Sequence, residues 1–262
     1  MRVESILEKI VPAQYYPRVE RMYLKRRGIR YWGWKHTCPC CNGHFRTFVP
    51  WGTKPVQIAC PRCYSVARYR LLYLYLRNKT GFFKDNLKVL DIAPTQYFQE
   101  MCKGLHNIDY ISADISSPLA MLRMDLTAIA LTENQFDCII CYHVLEHIPD
   151  DAKAMAELFR VLKPGGWAIL QTPVDHSRDT TYEDAAITDP DARERAFNQC
   201  DHVRIYGRDY KDRLERAGFT VKVDDYLEEL GEAAIERYVL LNDEKIYLCT
   251  KPVCTDAVSL SS

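Results

Sequence analysis

The sequence predicts an α/β protein, with a doubly wound, mostly parallel sheet of seven strands and a small N-terminal zinc-ribbon domain. Two observations carry this prediction. From residue 87 onwards, short apolar segments alternate with amphipathic helical segments, the pattern of a parallel sheet covered by helices. Nearer the N-terminus, two Cys-x-x-Cys pairs stand 18 residues apart in a stretch that has few core residues.

Composition and charge set limits on the class of protein. The 262 residues, 47% of them apolar, suffice for one large domain and a smaller one. Residues 1–10 lack the apolar stretch of a signal peptide, and no apolar run approaches the roughly 18 residues of a membrane span. We therefore expect a cytoplasmic protein without a membrane partner. Since 11 cysteines are an odd number, a disulfide framework is disfavoured.

The charge is distributed unevenly along the chain. Whole-chain totals of 35 Lys+Arg and 35 Asp+Glu cancel, but residues 1–80 contain 16 basic residues against 3 acidic ones. Such a basic segment suggests an anionic partner, or an attraction to the acidic remainder of the chain. Both interpretations stay open.

The cysteine pairs predict a structural zinc site in a ribbon at residues 38–63. Each two-residue gap allows a tight turn that points two sulfurs at one centre, and β-prone segments at 45–49 and 56–59 lie between the pairs. With four sulfur ligands the ion has no open position, so its role is structural. The predicted ligands are Cys38, Cys41, Cys60 and Cys63. Cys40 is a spare thiol that could exchange with a neighbour, and His44 is expected on the ribbon surface.

Cations and aromatic residues are interleaved around the ribbon. They are Lys25, Arg26, Arg27, Arg30, Tyr31, Trp32, Trp34 and Trp51. This mixture suits stacking on bases or sugars, or it belongs to a solvated amphipathic helix at 17–27 docked on the rest of the protein. A helix at 65–78 is expected to link the ribbon to the second domain. Its packing face is predicted to be Leu71, Leu72, Tyr75 and Leu76, with Arg68 and Arg70 turned elsewhere. We therefore divide the chain into domains at 1–80 and 81–262.

The second domain contains seven candidate strands. They are predicted at 88–92, 110–113, 121–124, 136–142, 167–172, 219–224 and 245–250. The clearest helix is predicted at 151–162, capped by Asp150 or Asp151 and ended by the Lys-Pro-Gly-Gly turn at 163–166. Cys138 and Cys141 also form a Cys-x-x-Cys, but on a strand this spacing sends the two sulfurs to opposite faces. We expect both in the core.

Polar residues follow the strands, where a parallel sheet binds its ligands. Asp91 closes the first strand, and Asp114 closes the second 23 residues later, close to the spacing at which an acid meets ribose hydroxyls. Asp125 follows the third strand, and Tyr142-His-Val-Leu-Glu-His147 follows the fourth. A binding site at this edge of the sheet is therefore predicted.

Two of these segments carry a resemblance. FDCIICYHVLEHI at 136–148 and ELFRVLKPGG at 157–166 resemble the central signature of class I S-adenosylmethionine-dependent methyltransferases of type 11, and the likeness runs from about residue 87 to 251. It implies an enzyme with a Rossmann-like sheet that ends in an antiparallel hairpin, and S-adenosyl-L-methionine as cofactor. The ribbon is similar to zinc ribbons fused to such methyltransferases, including those that modify ribosomal RNA.

The turn after the first strand departs from the family pattern. The family has acid-x-Gly-x-Gly there, while this chain has Asp91-Ile-Ala-Pro94. Since S-adenosylmethionine carries no phosphate, we expect a small Ala93 to suffice and Pro94 to occupy the first position of a helix at 95–102. Alternatively, the pocket has closed. The residues that the resemblance assigns to cofactor binding are Asp91, Ala93 and Pro94 at the methionine end, Asp114 at the ribose, Asp125 and Leu126 at the adenine, and Tyr142.

The loop at 197–207 supplies the candidates for chemistry. FNQCDHVRIYG resembles a Phe-Gly-Gln-x-Asp-His-Val-Arg-x-Tyr-Gly stretch in one branch of these methyltransferases, with Asn198 in place of the glycine. His202 is the candidate general base, oriented by Asp201, and Arg204 with Tyr206 would bind an anionic acceptor. The alternative is a purely structural role, in which Asp201, His202 and Arg204 attach the loop to the sheet. His143 is a further candidate base, His147 is expected to be a capping residue, and the acidic stretch at 180–184 is a candidate lid.

The acceptor is less well defined. No Asn-Pro-Pro-Tyr turn for adenine N6 is present, which leaves an oxygen or nitrogen of a small molecule or saccharide. One alternative is an RNA base held by the basic N-terminal domain. Another alternative is a non-catalytic zinc-ribbon adaptor protein with a degenerate cofactor pocket.

Overall fold

The computed structural model describes residues 16–50, 58–241 and 244–253, and the chain divides into two compact units. Unit 1 is Met1–Gly81 with Tyr226–Glu244, and unit 2 is Phe82–Asp225 with Lys245–Ser262. We predicted 226–244 as part of the second domain, whereas the structure groups this segment with unit 1. Trp51 and the first half of the β-prone segment predicted at 56–59 lie outside the described residues.

Unit 1 begins with a helix and a cysteine-bearing hairpin. Its elements are α1 (Tyr16–Arg30), β1 (Trp32–Cys38), β2 (Gly43–Phe45), β3 (Val49–Pro50), β4 (Ile58–Ala59) and α2 (Ala67–Lys79). Strand β1 pairs antiparallel with β2, and β3 pairs with β4. The predicted strand at 45–49 is therefore two shorter ones. Asn42 and Tyr64 adopt positive φ angles next to the two cysteine pairs, which allows the tight turns that bring each pair together.

Helix α2 packs through the predicted apolar face, and Leu71, Leu72, Tyr75 and Leu76 are all buried. Arg70 was expected to point away from this face, but it is fully buried. Its guanidinium donates to the carbonyl oxygens of Ser65, Tyr238 at 2.8 Å and Val239 at 2.5 Å, and it lies over the ring of Phe48. Periodicity missed this burial because the carbonyl partners are distant in sequence.

Unit 2 contains a seven-stranded sheet formed by the described residues. Its strands are β5 (Leu87–Ile92), β6 (Ile108–Asp114), β7 (Leu122–Arg123), β8 (Phe136–Tyr142), β9 (Leu162–Gln171), β12 (Thr220–Asp224) and β13 (Ile246–Thr250). The order is β12-β13-β9-β8-β5-β6-β7, with β12 and β13 antiparallel to their neighbours and the other pairs parallel. The mostly parallel sheet and its antiparallel edge hairpin are confirmed.

Four α-helices of unit 2 lie in the part of the chain that the structure describes. They are α3 (Gln96–Lys103), α4 (Asp151–Val161), α5 (Pro190–Phe197) and α6 (Tyr210–Arg216), and a short strand pair is formed by β10 (Tyr182–Glu183) and β11 (Arg204–Ile205). Asp150 caps α4 by accepting a 3.0 Å hydrogen bond from the Lys153 amide, as one of the two predicted caps. Cys138 and Cys141 are completely buried, which confirms that they are core residues.

Two short helices in unit 1, α7 (Tyr226–Leu230) and α8 (Glu232–Tyr238), interrupt the chain between β12 and β13. They support the cysteine-bearing hairpin, because His36 Nδ1 lies 2.9 Å from the carbonyl oxygen of Glu236 and the carbonyls of Tyr238 and Val239 receive Arg70. Nothing in the local sequence of this insertion predicts where it packs.

Candidate active site and cysteine cluster

The carboxyl ends of β5 and β6, together with the chain after β7 and β8, enclose a cavity of about 420 Å³. Its walls are mainly apolar and carry acidic groups at Asp114, Asp125 and Asp150. A cavity of this size and lining suits a ligand with a flat apolar part and a few polar groups. The other lining residues are Ile92, Ala93, Ile115, Met124, Leu126, Thr127, Val144, His147, Ile148 and Pro149.

The turn after β5 takes a shape that normally favours glycine. Ala93 has a φ of 53°, in the left-handed region, and its amide donates a 2.9 Å hydrogen bond to the carbonyl oxygen of Ala113. Pro94 was expected at the first position of the following helix, but it precedes the cap. Thr95 is the N-cap of α3, since its hydroxyl accepts a 3.4 Å hydrogen bond from the Phe98 amide.

Asp91 is buried below this turn. Its Oδ2 accepts a 2.5 Å hydrogen bond from the hydroxyl of Tyr110. Burial raises the pKa of Asp91 to about 7, even though the hydrogen bond from Tyr110 acts in the opposite direction. Asp91, Pro94 and Tyr142 are buried and are not among the described residues that line the cavity.

Asp114 and Asp125 both line the cavity, as the sequence predicted for the ribose and adenine positions. Asp114 Oδ1 accepts hydrogen bonds from the amides of Ser116 and Ser117, at 2.7 and 2.6 Å, which fix the carboxylate and direct both bonds to one oxygen. Asp125 Oδ1 accepts from the amide and the hydroxyl of Thr127, at 2.8 and 2.9 Å. These bonds lower the pKa of the exposed Asp125 carboxyl.

A group of titratable side chains lies at the ends of β8 and β9. Glu146 is 2% exposed, and its Oε2 accepts a 2.9 Å hydrogen bond from the hydroxyl of Thr172. Burial alone would raise the pKa of Glu146, but a hydrogen bond from His143 and the charge of His143 hold the pKa below its ordinary value. His143 Nδ1 lies 3.5 Å from Glu146 Oε1, which places His143 beside the carboxylate.

His202 joins this group from the loop before β11. Its ring packs edge-on against the ring of His147, with centroids 4.8 Å apart. Burial lowers the pKa of the His202 imidazole, opposed by the charge of Glu146. Asp201, which was expected to orient His202, instead contacts His147: its carbonyl oxygen and Oδ2 lie 3.2 and 3.4 Å from His147 Nδ1.

Arg204 and Tyr206 were expected to bind the acceptor, and the structure revises this expectation. Arg204 is 3% exposed, and its guanidinium donates to Glu183 and to the carbonyl oxygens of Leu145, Ile148 and Pro149. Tyr206 is fully buried, with its hydroxyl 2.7 Å from Asp151 Oδ2. These contacts favour the alternative interpretation, in which both residues fix the loop.

The candidate lid at 180–184 is held in the same way. Tyr182–Glu183 pairs with Arg204–Ile205 as a strand, and Glu183 also contacts Arg213 at 3.2 Å. Thr181 donates to Asp209 through its amide and its hydroxyl, at 2.8 and 2.7 Å. The stretch is therefore a fixed part of unit 2 in this conformation.

The clustering of Glu146 and His147 with His202 was not predicted from the sequence. A usable signal was present, because Glu146-His147 follows β8, His202 follows β9, and adjacent parallel strands end at the same edge. Each histidine was instead considered alone, as a base or as a cap.

The four cysteines of unit 1 converge on one point. Cys38, Cys41, Cys60 and Cys63 present Sγ atoms that all lie within 4.8 Å of one another. The Sγ distances are 3.6 Å for Cys38 to Cys63 and 3.7 Å for Cys41 to Cys60. Four sulfurs at about 2.3 Å from a tetrahedral zinc ion are about 3.8 Å apart, so the arrangement fits that ion.

Nearby groups define which thiols belong to the cluster. Ser65 Oγ lies 3.2 Å from the Sγ atoms of both Cys38 and Cys63. Cys40 Sγ lies 3.8 Å from the carbonyl oxygen of Tyr69, and His44 Nδ1 lies 3.2 Å from Thr37 Oγ1. Neither Cys40 nor His44 is among the four converging ligands.

The comparison with protein families agrees with this fold. The family model described as a methyltransferase domain matches residues 65–222, more than half of the chain. The chain belongs to this family. The class I resemblance stated from the sequence is thereby confirmed.

Curated relatives of this methyltransferase match in part. A probable S-adenosylmethionine-dependent methyltransferase of Mycolicibacterium smegmatis is 26% identical over 129 residues, covering 47% of this chain and 46% of the relative. A ubiquinone biosynthesis O-methyltransferase of Thiobacillus denitrificans is 45% identical over 38 residues, covering 14% of this chain and 16% of the relative. The methyltransferase therefore spans less than half the length of these two relatives.

Solved structures were also compared. A SAM-dependent methyltransferase from Archaeoglobus fulgidus has a TM-score of 0.45 at 17% identity, covering 69% of this chain and 93% of that chain. A putative methyltransferase from Bacillus halodurans has a TM-score of 0.39 at 17% identity, covering 63% of this chain and 89% of that chain. Among the described residues of this methyltransferase, the helices are too short or too polar to cross a bilayer.

Proposed function

We propose that this methyltransferase transfers a methyl group from S-adenosylmethionine to an oxygen or nitrogen atom of a polar small molecule or saccharide. One observation carries the proposal: the cavity bounded by Asp114 and Asp125 also includes His147, which packs against the half-buried His202. A cofactor site and a group able to accept a proton are thus adjacent within unit 2.

The residues around the cavity fit the cofactor. Asp114 Oδ1 is occupied by two amides, and Oδ2 on the same carboxylate is oriented to accept from the ribose hydroxyls. Apolar side chains such as Ile115 and Leu126 suit the adenine. When bound, the cofactor supplies an electrophilic methyl group on a cationic sulfur.

In this proposal, His202 and Glu146 act on the methyl acceptor. Because burial lowers its pKa, His202 is neutral at physiological pH and able to accept a proton from an acceptor hydroxyl or amine. Glu146 lies beside it as a fixed negative charge. The name of the Thiobacillus relative describes an O-methyltransferase, which supports an oxygen acceptor.

We also propose that the four-cysteine cluster holds a structural zinc ion. The sulfur separations support this assignment, and so does the position of Arg70, whose buried positive charge interacts with Cys38 and Cys60 and would offset the negative charge of a four-thiolate zinc centre. The ion would stabilise unit 1 and take no part in methyl transfer.

Incubation with methyl-labelled cofactor and fractionated cell extract tests the proposed activity. Label is expected in low-mass material, and His202→Ala is expected to reduce incorporation about 10²-fold, the typical contribution of a general base. His106→Ala, an exposed histidine elsewhere in unit 2, is the matched control. Cofactor binding without label in any fraction would support a non-catalytic adaptor instead.

RNA is a second candidate acceptor, favoured by the surface of unit 1. Trp32 and Trp34 are 59% and 71% exposed, and they follow the exposed cations Lys25, Arg26 and Arg30 in the sequence. Exposed aromatic rings beside cations suit single-stranded RNA. For RNA, label would enter the nucleic-acid fraction and acceptor affinity would fall steeply with added salt, whereas a small acceptor would show weak salt dependence.

A further inference from the structure

Unit 2 contains a second group of side chains with the chemistry of metal ligands. Glu146, His147 and His202 each offer one ligand atom, and these atoms lie within 4.8 Å of one another. Two nitrogens and one carboxylate oxygen differ from the four sulfurs of unit 1. Such a set suits borderline divalent ions of the first transition row, whereas thiolates select zinc and other softer ions.

The distances allow an ion to bind with little movement. An ion midway between two atoms 4.8 Å apart would lie about 2.4 Å from each, compared with the ~2.0–2.2 Å of nitrogen and carboxylate ligands to zinc. Small side-chain rotations close that difference. The cluster lies on the short turn after β8 and on the loop that Arg204 fixes, so its backbone positions are already set.

Neighbouring groups orient the three side chains as they do in metal sites. His147 Nδ1 faces the carbonyl oxygen of Asp201 at 3.2 Å, which leaves Nε2 as the ligand atom. The Glu146 carboxylate is fixed by Thr172 on Oε2 and by His143 near Oε1. The ring of His202 packs edge-on against the ring of His147, with centroids 4.8 Å apart. A pure proton-accepting role for His202 explains none of the contacts made by Glu146 and His147.

The cluster is also accessible from the site already described. His147 lines the cavity and its side chain is 30% exposed, while Glu146 is buried behind it. Three protein ligands at one side of an ion leave open positions for water or for an acceptor, as in catalytic metal sites.

We propose that Glu146, His147 and His202 form a divalent metal site beside the cofactor cavity, and that its open positions receive an oxygen acceptor. The acceptor class is narrowed to molecules that present a hydroxyl, with a neighbouring oxygen as a second ligand. A coordinated hydroxyl has a lowered pKa and loses its proton to solvent, so with the ion bound His202 would act as a ligand and no longer as the general base. The ion would therefore favour oxygen over nitrogen acceptors. The acceptor assignment depends on the proposed function, whereas the metal site itself does not.

Titration of Mn²⁺ into the zinc-loaded protein, followed by electron paramagnetic resonance, tests the site. Mn²⁺ prefers carboxylate and imidazole ligands to thiolates, so the cysteine cluster does not compete. We expect about one Mn²⁺ per chain, with affinity reduced at least about tenfold in His202→Ala and in His147→Ala. His106→Ala is the matched control and should bind Mn²⁺ as the parent protein does.

Circular dichroism identifies variants that fail to fold, and His147→Ala, whose ring is partly exposed, serves if His202→Ala does not fold. Absence of Mn²⁺ binding by the parent protein would overturn the proposal, and so would undiminished binding by both histidine variants. S-adenosylhomocysteine binding measured on the same samples separates the two ideas. Loss of that binding alone would contradict the proposed function and leave the metal site standing.

Discussion

Tyr110 and Asp91 form a buried pair in which the phenol hydroxyl donates a 2.5 Å hydrogen bond to the carboxyl group. Burial raises the pKa of Asp91 to about 7 in the folded protein, from 3.8 for an unperturbed aspartate. The folded state therefore holds this proton more tightly than the unfolded chain, which links folding stability to pH.

Asp91→Asn tests this linkage. Because the pKa is raised in the folded protein, the contribution of Asp91 to stability is fully present below about pH 4, decreases as the pH rises towards 7, and stays constant above it. We expect the difference in unfolding free energy between the parent and Asp91→Asn to fall by a few kcal/mol over that range, at about 1.4 kcal/mol per unit of pKa shift. Urea unfolding at several pH values measures it. An equal difference at pH 4 and pH 8 would contradict the assigned pKa.

The left-handed conformation of Ala93 makes a second prediction. Ala93→Gly should keep cofactor affinity and leave the protein equally or slightly more stable, because glycine adopts a φ of 53° without a steric penalty. Ala93→Val should weaken cofactor binding about tenfold or more, since a β-branched residue is strained there and its side chain enters the cavity. Calorimetric titration and thermal unfolding are the measurements.

Ala130 provides the control for these variants. It is exposed and is not among the described residues with positive φ, so Ala130→Gly should lower stability slightly through the entropy of the unfolded chain. A stability loss at Ala93→Gly equal to that at Ala130→Gly would show that position 93 does not need the left-handed conformation.

Arg70 is expected to hold the 226–244 insertion to the rest of unit 1. Arg70→Met should cost roughly 3 to 5 kcal/mol, because the buried carbonyl oxygens of Ser65, Tyr238 and Val239 lose their charged donor. In Arg70→Met, amide hydrogen exchange in helix α8 should become faster. Arg77→Met changes an exposed residue of helix α2 and should leave exchange in α8 unchanged. Protection of α8 retained in Arg70→Met would refute this role.

Cys60→Ser is expected to abolish the zinc site. The zinc content should fall from about one ion per chain to almost none. Unit 1 should also lose its ordered structure, because a four-sulfur site supplies folding free energy directly. Cys40→Ser is the matched control, since the Cys40 thiol contacts the Tyr69 carbonyl and is not one of the four converging thiols. Elemental analysis and circular dichroism report both effects. Zinc retained in Cys60→Ser, or lost in Cys40→Ser, would contradict the ligand assignment.

Local patterns predicted the fold well where the signal is short-range. The seven strands follow from apolar runs between turns, and the cap at Asp150 follows from the residue types at a helix start. The ligand set of the cysteine cluster follows from spacing alone. These features depend on neighbours a few residues away.

Features set by long-range contacts were not predictable in this way. Arg70 is buried by carbonyl groups more than 160 residues later in the chain, and Arg204 is enclosed by residues from the segment after β8. For the same reason Asp201 was paired with the adjacent His202, whereas the structure pairs it with His147. The position of Pro94 was missed because Thr95 offers a capping hydroxyl, which moved the start of α3 by one residue.

Cofactor binding in the cavity lined by Asp114 is tested most directly by calorimetric titration of S-adenosylhomocysteine into zinc-loaded protein. The parent protein is compared with Asp114→Ala and Asp109→Ala. Asp114 lines the cavity, whereas Asp109 is exposed at the opposite end of β6. We expect saturable binding by the parent protein and by Asp109→Ala. Affinity should fall at least about tenfold in Asp114→Ala, because a charged hydrogen-bond acceptor is missing. No binding heat with the parent protein, or undiminished affinity in Asp114→Ala, would contradict it.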